Sequence, residues 1–208
     1  MKTRCPLCLR NAAALFVLLL TLTANIFAQP QYYNYNTQGS NNAFPLNTLP
    51  ASGKTTQTLY LAGAFNQPSP APNGNITKIY LMASSTGNAT FTSLVIKMGL
   101  TTDIDLPTGA WYTGSMTTVF DESNFNLVGT AGQFMVITLE TPFSYNATQS
   151  LVVEITQCGY SGTGIGLGYT ALAGNKRCAG PLTATACPHP YGNQQTYSTH
   201  MGVDIAPP

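Results

Sequence analysis

Residues 101–114 contain the side chains that are best suited to bind a ligand. Trp111 and Tyr112 follow Gly109 in a predicted loop, and an exposed aromatic pair can stack on the C–H face of a sugar ring. The competing interpretation, that Trp111 fills one end of the core, agrees with the usual burial of Trp. Asp103 and Asp105 lie two positions apart and offer the oxygen ligands that calcium prefers, without the full EF-hand pattern. Calcium is therefore the one candidate cofactor.

Two glutamates are the candidates for acid–base catalysis. Glu140 and Glu154 flank the connection FSYNATQS, so a hairpin could bring them face to face, as glycoside hydrolysis requires. The alternative is that both are exposed acids at strand ends. His189 and His200 are not accompanied by a G-x-S-x-G elbow, and we interpret both as surface residues. We therefore predict no enzymatic activity, with a glycosidase as the alternative.

The first 28 residues have the features of a secretory signal peptide. Three cations precede an uncharged apolar run at residues 12–22, and the small residue Ala28 lies directly before a plausible cleavage point. The run is shorter than the ~20 residues of a transmembrane helix, so we expect no membrane span after cleavage. Cleavage removes Cys5 and Cys8, whose C-x-x-C spacing could otherwise indicate a redox or zinc motif. We expect a mature chain that starts near Gln29 and is secreted or displayed at the cell surface.

Three cysteines remain in the mature chain, and in an exported protein the default expectation is a disulfide. Cys178 and Cys187 close a short, turn-rich loop and form the favoured pair, which leaves Cys158 over. Pairing of Cys158 with either of the other two stays open, because sequence alone cannot choose. A zinc site formed by Cys178, Cys187 and His189 would have irregular spacing, so a disulfide is the better interpretation.

The charge of the mature chain limits the classes of partner. Removal of Lys2, Arg4 and Arg10 leaves five of the eight Lys and Arg residues against seven acids, a net charge of about −2. A nucleic-acid-binding protein would need a basic surface, so this class is excluded. We expect a polysaccharide, a cell-surface glycan or another surface protein as the partner.

Short apolar runs of alternating polarity recur between Gly, Pro, Asn and Ser clusters, and no helical period is present. The predicted strands cover residues 56–65, 76–83, 91–98, 116–120, 124–128, 133–139, 151–156, 165–169 and 197–205. The runs at 133–139 and 151–156 are the most apolar and should be central. Eight or nine strands of this kind predict an all-β, antiparallel two-sheet β-sandwich of the jelly-roll type.

The mature chain divides into two predicted regions. Residues 29–55 form a polar, Tyr- and Asn-rich lead-in with an aromatic cluster of Tyr32, Tyr33 and Tyr35, and residues 56–208 form the sandwich. Three N-x-T sequons, at Asn75, Asn88 and Asn146, indicate either glycosylation or ordinary turns.

Three stretches in the middle of the chain resemble a known kind of module. They are ITKIYLMASSTGNATFTSLVIKMGLTT, MTTVFDESNF and FMVITLETPFSYNATQSLVVEIT, within residues 56–170. Together they resemble the β-sandwich modules of large secreted surface proteins of gliding gram-negative bacteria that use type IX secretion. The resemblance implies a non-catalytic module that accompanies adhesin, protease or glycosidase domains, and it carries over no functional residue.

The predicted function is therefore a secreted or cell-surface, non-catalytic protein for adhesion, assembly or presentation. One alternative is a carbohydrate-binding module that uses Trp111 and Tyr112, and a second is a glycosidase that uses Glu140 and Glu154. A third is a self-assembling fibre subunit that donates residues 31–50 as an edge strand.

Overall fold

The computed structural model describes residues 29–47, 51–181, 186–187 and 189–208, and the predicted signal peptide with Cys5 and Cys8 lies outside them. The described residues form fourteen strands. These are β1 (Tyr32–Tyr33), β2 (Ser40–Asn42), β3 (Lys54–Tyr60), β4 (Gly74–Met82), β5 (Gly87–Thr101), β6 (Thr117–Gly129), β7 (Phe134–Tyr145), β8 (Ser150–Gln157), β9 (Tyr160–Thr163), β10 (Leu167–Ala171), β11 (Arg177–Ala179), β12 (Asn193–Gln195), β13 (Tyr197–Thr199) and β14 (Met201–Ala206). Within these ranges no helix is long and apolar enough to cross a bilayer.

Eight of the strands are paired as a jelly roll. Among these eight, the first pairs with the last (β1 with β14), the second with the seventh (β3 with β8), the third with the sixth (β4 with β7) and the fourth with the fifth (β5 with β6). All four pairings are antiparallel, which is the order of a long hairpin rolled into two sheets. The predicted all-β sandwich is confirmed, with more strands than expected.

The rolled hairpin produces two large sheets and one small one. Sheet I has the order β1-β14-β4-β7, and sheet II has the order β12-β11-β3-β8-β5-β6, with β9 also paired to β5. Sheet III is the small β13-β10-β2 sheet. The six short strands lie outside the eight-strand pairing: β11 and β12 extend sheet II beyond β3, β9 adds to β5, and β2, β10 and β13 form sheet III.

The main core lies between sheets I and II. Period-2 alternation buries Ile79 and Leu81 of β4 against Leu151, Val153 and Ile155 of β8, all in one continuous apolar cluster. As predicted, β8 is central, since it lies between β3 and β5, whereas β7 is an edge strand.

Several strand limits differ from the predicted ones. The predicted strands at 116–120 and 124–128 are one strand, β6, which begins at Thr117 and in which Asn124 takes a positive φ of 57°. The predicted strand at 197–205 divides at His200: β13 joins sheet III, and β14 joins sheet I. Local alternation does not reveal such a change of partner, because it continues unbroken through His200.

The predicted lead-in belongs to the sandwich and is not a separate region. β1 is the first strand of the jelly roll, and β2 pairs with β10 through Leu167–Tyr169. The predicted limit at residue 56 falls inside β3, which begins at Lys54. Because β1 and β2 pair within their own chain, the structure gives no support to their donation to a neighbour.

Candidate functional site

A pocket of about 460 Å³ opens between the ends of β1 and β3 and the loop after β3; we call it the tyrosine pocket. Its aromatic and amide lining consists of Tyr33, Tyr35, Tyr60, Asn34, Asn36, Asn66 and Gln67. Leucines, one alanine, one threonine and one serine complete it, so no lining residue carries a formal charge. The pocket is therefore suited to an uncharged ligand.

The wall formed by residues 33–37 is held in place by backbone pairing and by one asparagine. The Tyr33 N–H donates to the Gln67 carbonyl at 2.9 Å, and the Gln67 N–H donates to the Tyr33 carbonyl at 3.2 Å. The Asn34 Nδ2 group donates to the Thr199 carbonyl at 2.9 Å, and Asn34 Oδ1 accepts from the Met201 N–H at 2.8 Å. The wall is thus pre-formed by contacts to β13 and β14.

A buried histidine supports the ring of Tyr35. The two rings stack with centroids 4.7 Å apart. His200 Nδ1 lies 2.8 Å from the Thr37 carbonyl oxygen, and Nε2 lies 2.7 Å from Thr170 Oγ1. Because a carbonyl only accepts, Nδ1 carries the proton and Nε2 accepts from the hydroxyl. Burial lowers the pKa of His200, against a smaller raising contribution from the Thr37 carbonyl, so the imidazole is neutral at pH 7.

The rim of the pocket offers free amide groups. Asn66 and Gln67 are exposed, and their side chains make no hydrogen bond within the described part of the chain. They stand beside the half-buried rings of Tyr33 and Tyr35. Aromatic faces with a few convergent polar groups are typical of a pocket that binds a neutral, hydroxyl-rich molecule.

Trp111 and Tyr112 do not form a free platform. Both are partly buried and pack on the outer face of sheet II, against a small cluster of Leu59, Leu106, Val152 and Cys178. The Trp111 ring meets the Tyr191 ring edge to face, with centroids 5.8 Å apart. The Tyr112 N–H donates to Gln57 Oε1, and the Tyr112 carbonyl accepts from Gln57 Nε2. The packing interpretation of Trp111 therefore describes the structure better, although the site is the outer face of a sheet and not one end of the core.

Asp103 and Asp105 each have a partner of their own. Asp103 Oδ2 accepts from the Thr101 hydroxyl at 2.8 Å, and Asp105 Oδ1 lies 2.6 Å from Lys176 Nζ. The hydrogen bond from Lys176 is the main reason why the pKa of Asp105 is lowered. An ammonium at this distance competes with calcium for the carboxylate. Among the described residues, no group of three or more His, Cys, Asp and Glu side chains could hold a metal ion.

Glu140 and Glu154 lie in different sheets and do not converge. Glu154, in sheet II, pairs with Lys97 at 3.3 Å and accepts from the Gln57 amide at 2.8 Å. Glu140, in sheet I, is exposed and accepts from the Asp121 N–H at 3.2 Å. The structure thus does not assemble the carboxylate pair that a glycosidase would need.

The predicted Cys178–Cys187 disulfide is wrong. Cys187 is bonded to Cys158, with their Cα atoms 5.7 Å apart, and Cys178 is a buried free thiol. Cys178 lies in β11 and faces the outer cluster of sheet II, where burial raises its pKa. The disulfide instead ties the end of β8 to the loop before His189, and it takes Cys187 out of any zinc site.

Both histidines predicted to be at the surface are buried. His189 Nε2 lies 2.6 Å from the Ser52 carbonyl oxygen, and Nδ1 lies 3.2 Å from Thr55 Oγ1. The ring thus provides the hydrogen bonds that hold residue 189 against Ser52 and β3. A structural role accounts for His189.

Two cations, Lys54 and Arg177, are buried without a carboxylate partner among the described residues. Lys54 Nζ donates to the carbonyls of Gly180 and Pro181, at 2.8 and 2.6 Å, and burial lowers the pKa of Lys54 to about 8. Arg177 donates from Nε to Gln195 at 2.7 Å, and burial lowers its pKa to about 10. The Arg177 Nη1 and Nη2 groups have no hydrogen-bond partner in the described part of the chain.

Sequence reasoning identified the aromatic cluster of the tyrosine pocket but not the residues that complete it. The tyrosines at positions 33 and 35 were visible as a cluster, whereas Asn34 looked like an ordinary polar residue and Asn66 and Gln67 like a loop. The only available signal was the alternation of Tyr and Asn over residues 33–36. No protein-family model matches the chain, and no curated protein matches it significantly.

Proposed function

We propose that this chain is a secreted or cell-surface, non-catalytic jelly-roll protein that adheres to a neutral saccharide through the tyrosine pocket. The observation that carries the proposal is the lining of this pocket, in which tyrosine rings and free carboxamides meet without a charged group. Sugar rings present C–H faces to aromatic rings and hydroxyl groups to amides. An anionic saccharide would find no cationic side chain in the lining.

Three further observations support an adhesive role outside the cytoplasm. A disulfide is the usual mark of an oxidising compartment, and the chain has one between Cys158 and Cys187. The first 28 residues have the composition of a signal peptide. The resemblance to surface modules of gliding bacteria suggests the same setting, and membership in that group is part of the proposal. The carboxylates that we considered for catalysis have separate structural partners.

A glycan array with the secreted protein tests the proposal. We expect binding to one or more uncharged saccharides and weaker binding to their sialylated or sulfated forms. The Asn66→Ala and Gln67→Ala substitutions remove free amides without removing an internal hydrogen bond. Each should weaken binding up to about tenfold, the effect of one lost neutral hydrogen bond.

Asn193→Ala is the matched control. Asn193 is an exposed carboxamide in β12, it makes no side-chain hydrogen bond within the described residues, and it lies outside the pocket. Its substitution should leave binding unchanged. The proposal is contradicted if no uncharged glycan binds, or if the three substitutions have equal effects.

A further inference from the structure

A second cavity, of about 560 Å³, lies between the loop at residues 105–108 and strand β12; we call it the amide cleft. Its polar lining consists of Asp105, Thr108, Asn175, Gln194, Gln195, Thr196 and Tyr197. It shares no lining residue with the tyrosine pocket. Any ligand of the amide cleft therefore binds at a site of its own.

Asn175 provides an acceptor of fixed orientation. Its Nδ2 group donates to the carbonyls of Leu106 and Pro107, at 3.0 and 2.9 Å. Because both partners only accept, the amide cannot be turned around, and Oδ1 must point the other way. Oδ1 is buried and has no donor in the described part of the chain. A buried carbonyl oxygen of this kind favours a ligand that brings an N–H or O–H group.

Gln195 provides a donor of fixed orientation. Its Oε1 accepts from Arg177 Nε at 2.7 Å, so the Nε2 group is free to donate elsewhere. The guanidinium of Arg177 is itself buried, and its centre lies 5.1 Å from the centroid of the Tyr197 ring. Arg177 is thus a positioning residue, which holds the Gln195 amide from behind the cleft.

Gln194 adds a second donor, and Asp105 adds little net charge. Gln194 Oε1 lies 3.4 Å from both the Gly109 N–H and the Tyr191 hydroxyl, which leaves its Nε2 group free. The charge of Asp105 is balanced by Lys176, at 2.6 Å from Oδ1, so the second carboxylate oxygen can accept from a hydroxyl group. The cleft therefore presents oriented donors and acceptors in a nearly neutral setting.

The geometry points to the amide cleft as a second saccharide site, selective for sugars with an acetamido group. The acetamido N–H matches Asn175 Oδ1, its carbonyl oxygen matches the Nε2 group of Gln195, and sugar hydroxyls match Gln194, Asp105 and Thr108. A secondary amide is a neutral group that brings both a fixed donor and a fixed acceptor. No covalent step is involved.

Isothermal titration with N-acetylglucosamine oligosaccharides, and with glucose oligosaccharides of the same length and linkage, tests the inference. We expect the acetylated series to bind at least about tenfold more tightly, because the unacetylated sugars leave the oriented amides unmatched. Gln195→Glu should reduce that affinity about tenfold, since it replaces the donor by an acceptor of the same shape. It still accepts from Arg177 and gives that guanidinium a counter-charge, so the melting temperature should not fall.

Asn193→Asp is the matched control, because it makes the same amide-to-acid change on the same strand outside the cleft. It should leave the affinity unchanged. Equal binding of both sugar series, or an unchanged affinity in Gln195→Glu, would overturn the inference. Tighter binding of a blocked dipeptide than of the acetylated sugars would overturn its assignment to a saccharide. Loss of binding in Asn66→Ala would assign the acetylated sugar to the tyrosine pocket instead.

Discussion

The Cys158–Cys187 disulfide should account for a large part of the stability of the domain. The two cysteines are 29 positions apart, and closing a loop of that length stabilises the folded state by ~3.5 kcal/mol in the chain-entropy relation. A bond between Cys178 and Cys187 would span only nine positions (187 − 178) and would contribute ~2.5 kcal/mol. As a buried free thiol, Cys178 should contribute about 1 kcal/mol through packing alone.

Urea unfolding, with and without a reducing agent, separates the two pairings. Trp111 is the single tryptophan and packs in the cluster that contains Cys178, so its fluorescence reports the transition. The Cys158→Ala/Cys187→Ala variant should lose ~3.5 kcal/mol of unfolding free energy and become insensitive to the reductant. Cys178→Ala should keep the sensitivity of the parent protein.

The opposite pattern would refute this assignment. If Cys178→Ala abolished the effect of the reductant, Cys178 would be a disulfide partner. A Cys158→Ala variant that kept the full effect would lead to the same conclusion. Peptide mapping of the oxidised protein gives an independent readout of the bonded pair.

Further predictions concern pH and backbone geometry. Burial lowers the pKa of Lys54 to about 8, so the cost of burying its charge is full below pH 8 and is relieved as the pH rises from 8 toward the ordinary lysine pKa. The unfolding free energy should therefore rise by up to ~2 kcal/mol between pH 8 and 10, and Lys54→Met should abolish this rise. The pKa of His200 is also lowered, so the unfolding free energy should fall as the pH drops below about 6.5. In equilibrium unfolding, His200→Gln should reduce this dependence on pH. Gly53→Ala should destabilise by more than ~2 kcal/mol, because φ is 65° and a Cβ atom would overlap the Gln157 carbonyl oxygen. Gly63→Ala is its control, because φ is 71° there but an added Cβ atom would meet no neighbour; we expect it to destabilise by about 1 kcal/mol. Equal melting temperatures for the two variants would contradict the steric argument.

The elements that were predictable from the sequence are those set by local alternation. Ile79 and Leu81 are buried because a strand sends every second side chain to the same face, and the sequence displays that period directly. The absence of a helical period then left two packed sheets as the expected arrangement. A jelly roll was the favoured form of this arrangement, but the sequence did not predict which strands pair.

The features that were missed depend on contacts between distant parts of the chain. The cysteine pairing was wrong because Cys158 and Cys187 meet through the packing of a loop on sheet II, whereas Cys178 faces the other way on β11. His200 was predicted to be exposed because its strand alternates, but the chain changes sheets at that residue. Burial there depends on residues 35–37, which are more than 160 positions away.

The site was only partly predictable for the same reason. Trp111 suggested a sugar platform by its type, but its exposure was decided by Tyr191 and by the outer face of sheet II. The tyrosine pocket instead joins residues 33–37 to Asn66 and Gln67, and only the backbone pairing of Tyr33 with Gln67 brings them together. No spacing rule in the sequence could have linked these segments.

The most direct test of the central claim is a nuclear magnetic resonance titration of the protein with neutral cello-, malto- and manno-oligosaccharides. If a neutral saccharide binds in the tyrosine pocket, the side-chain amide signals of Asn66 and Gln67 should shift with saturation, together with the backbone signals of Tyr33 and Tyr35. The account would be contradicted if no uncharged oligosaccharide moved these signals, or if the shifts clustered at Trp111 and Tyr112.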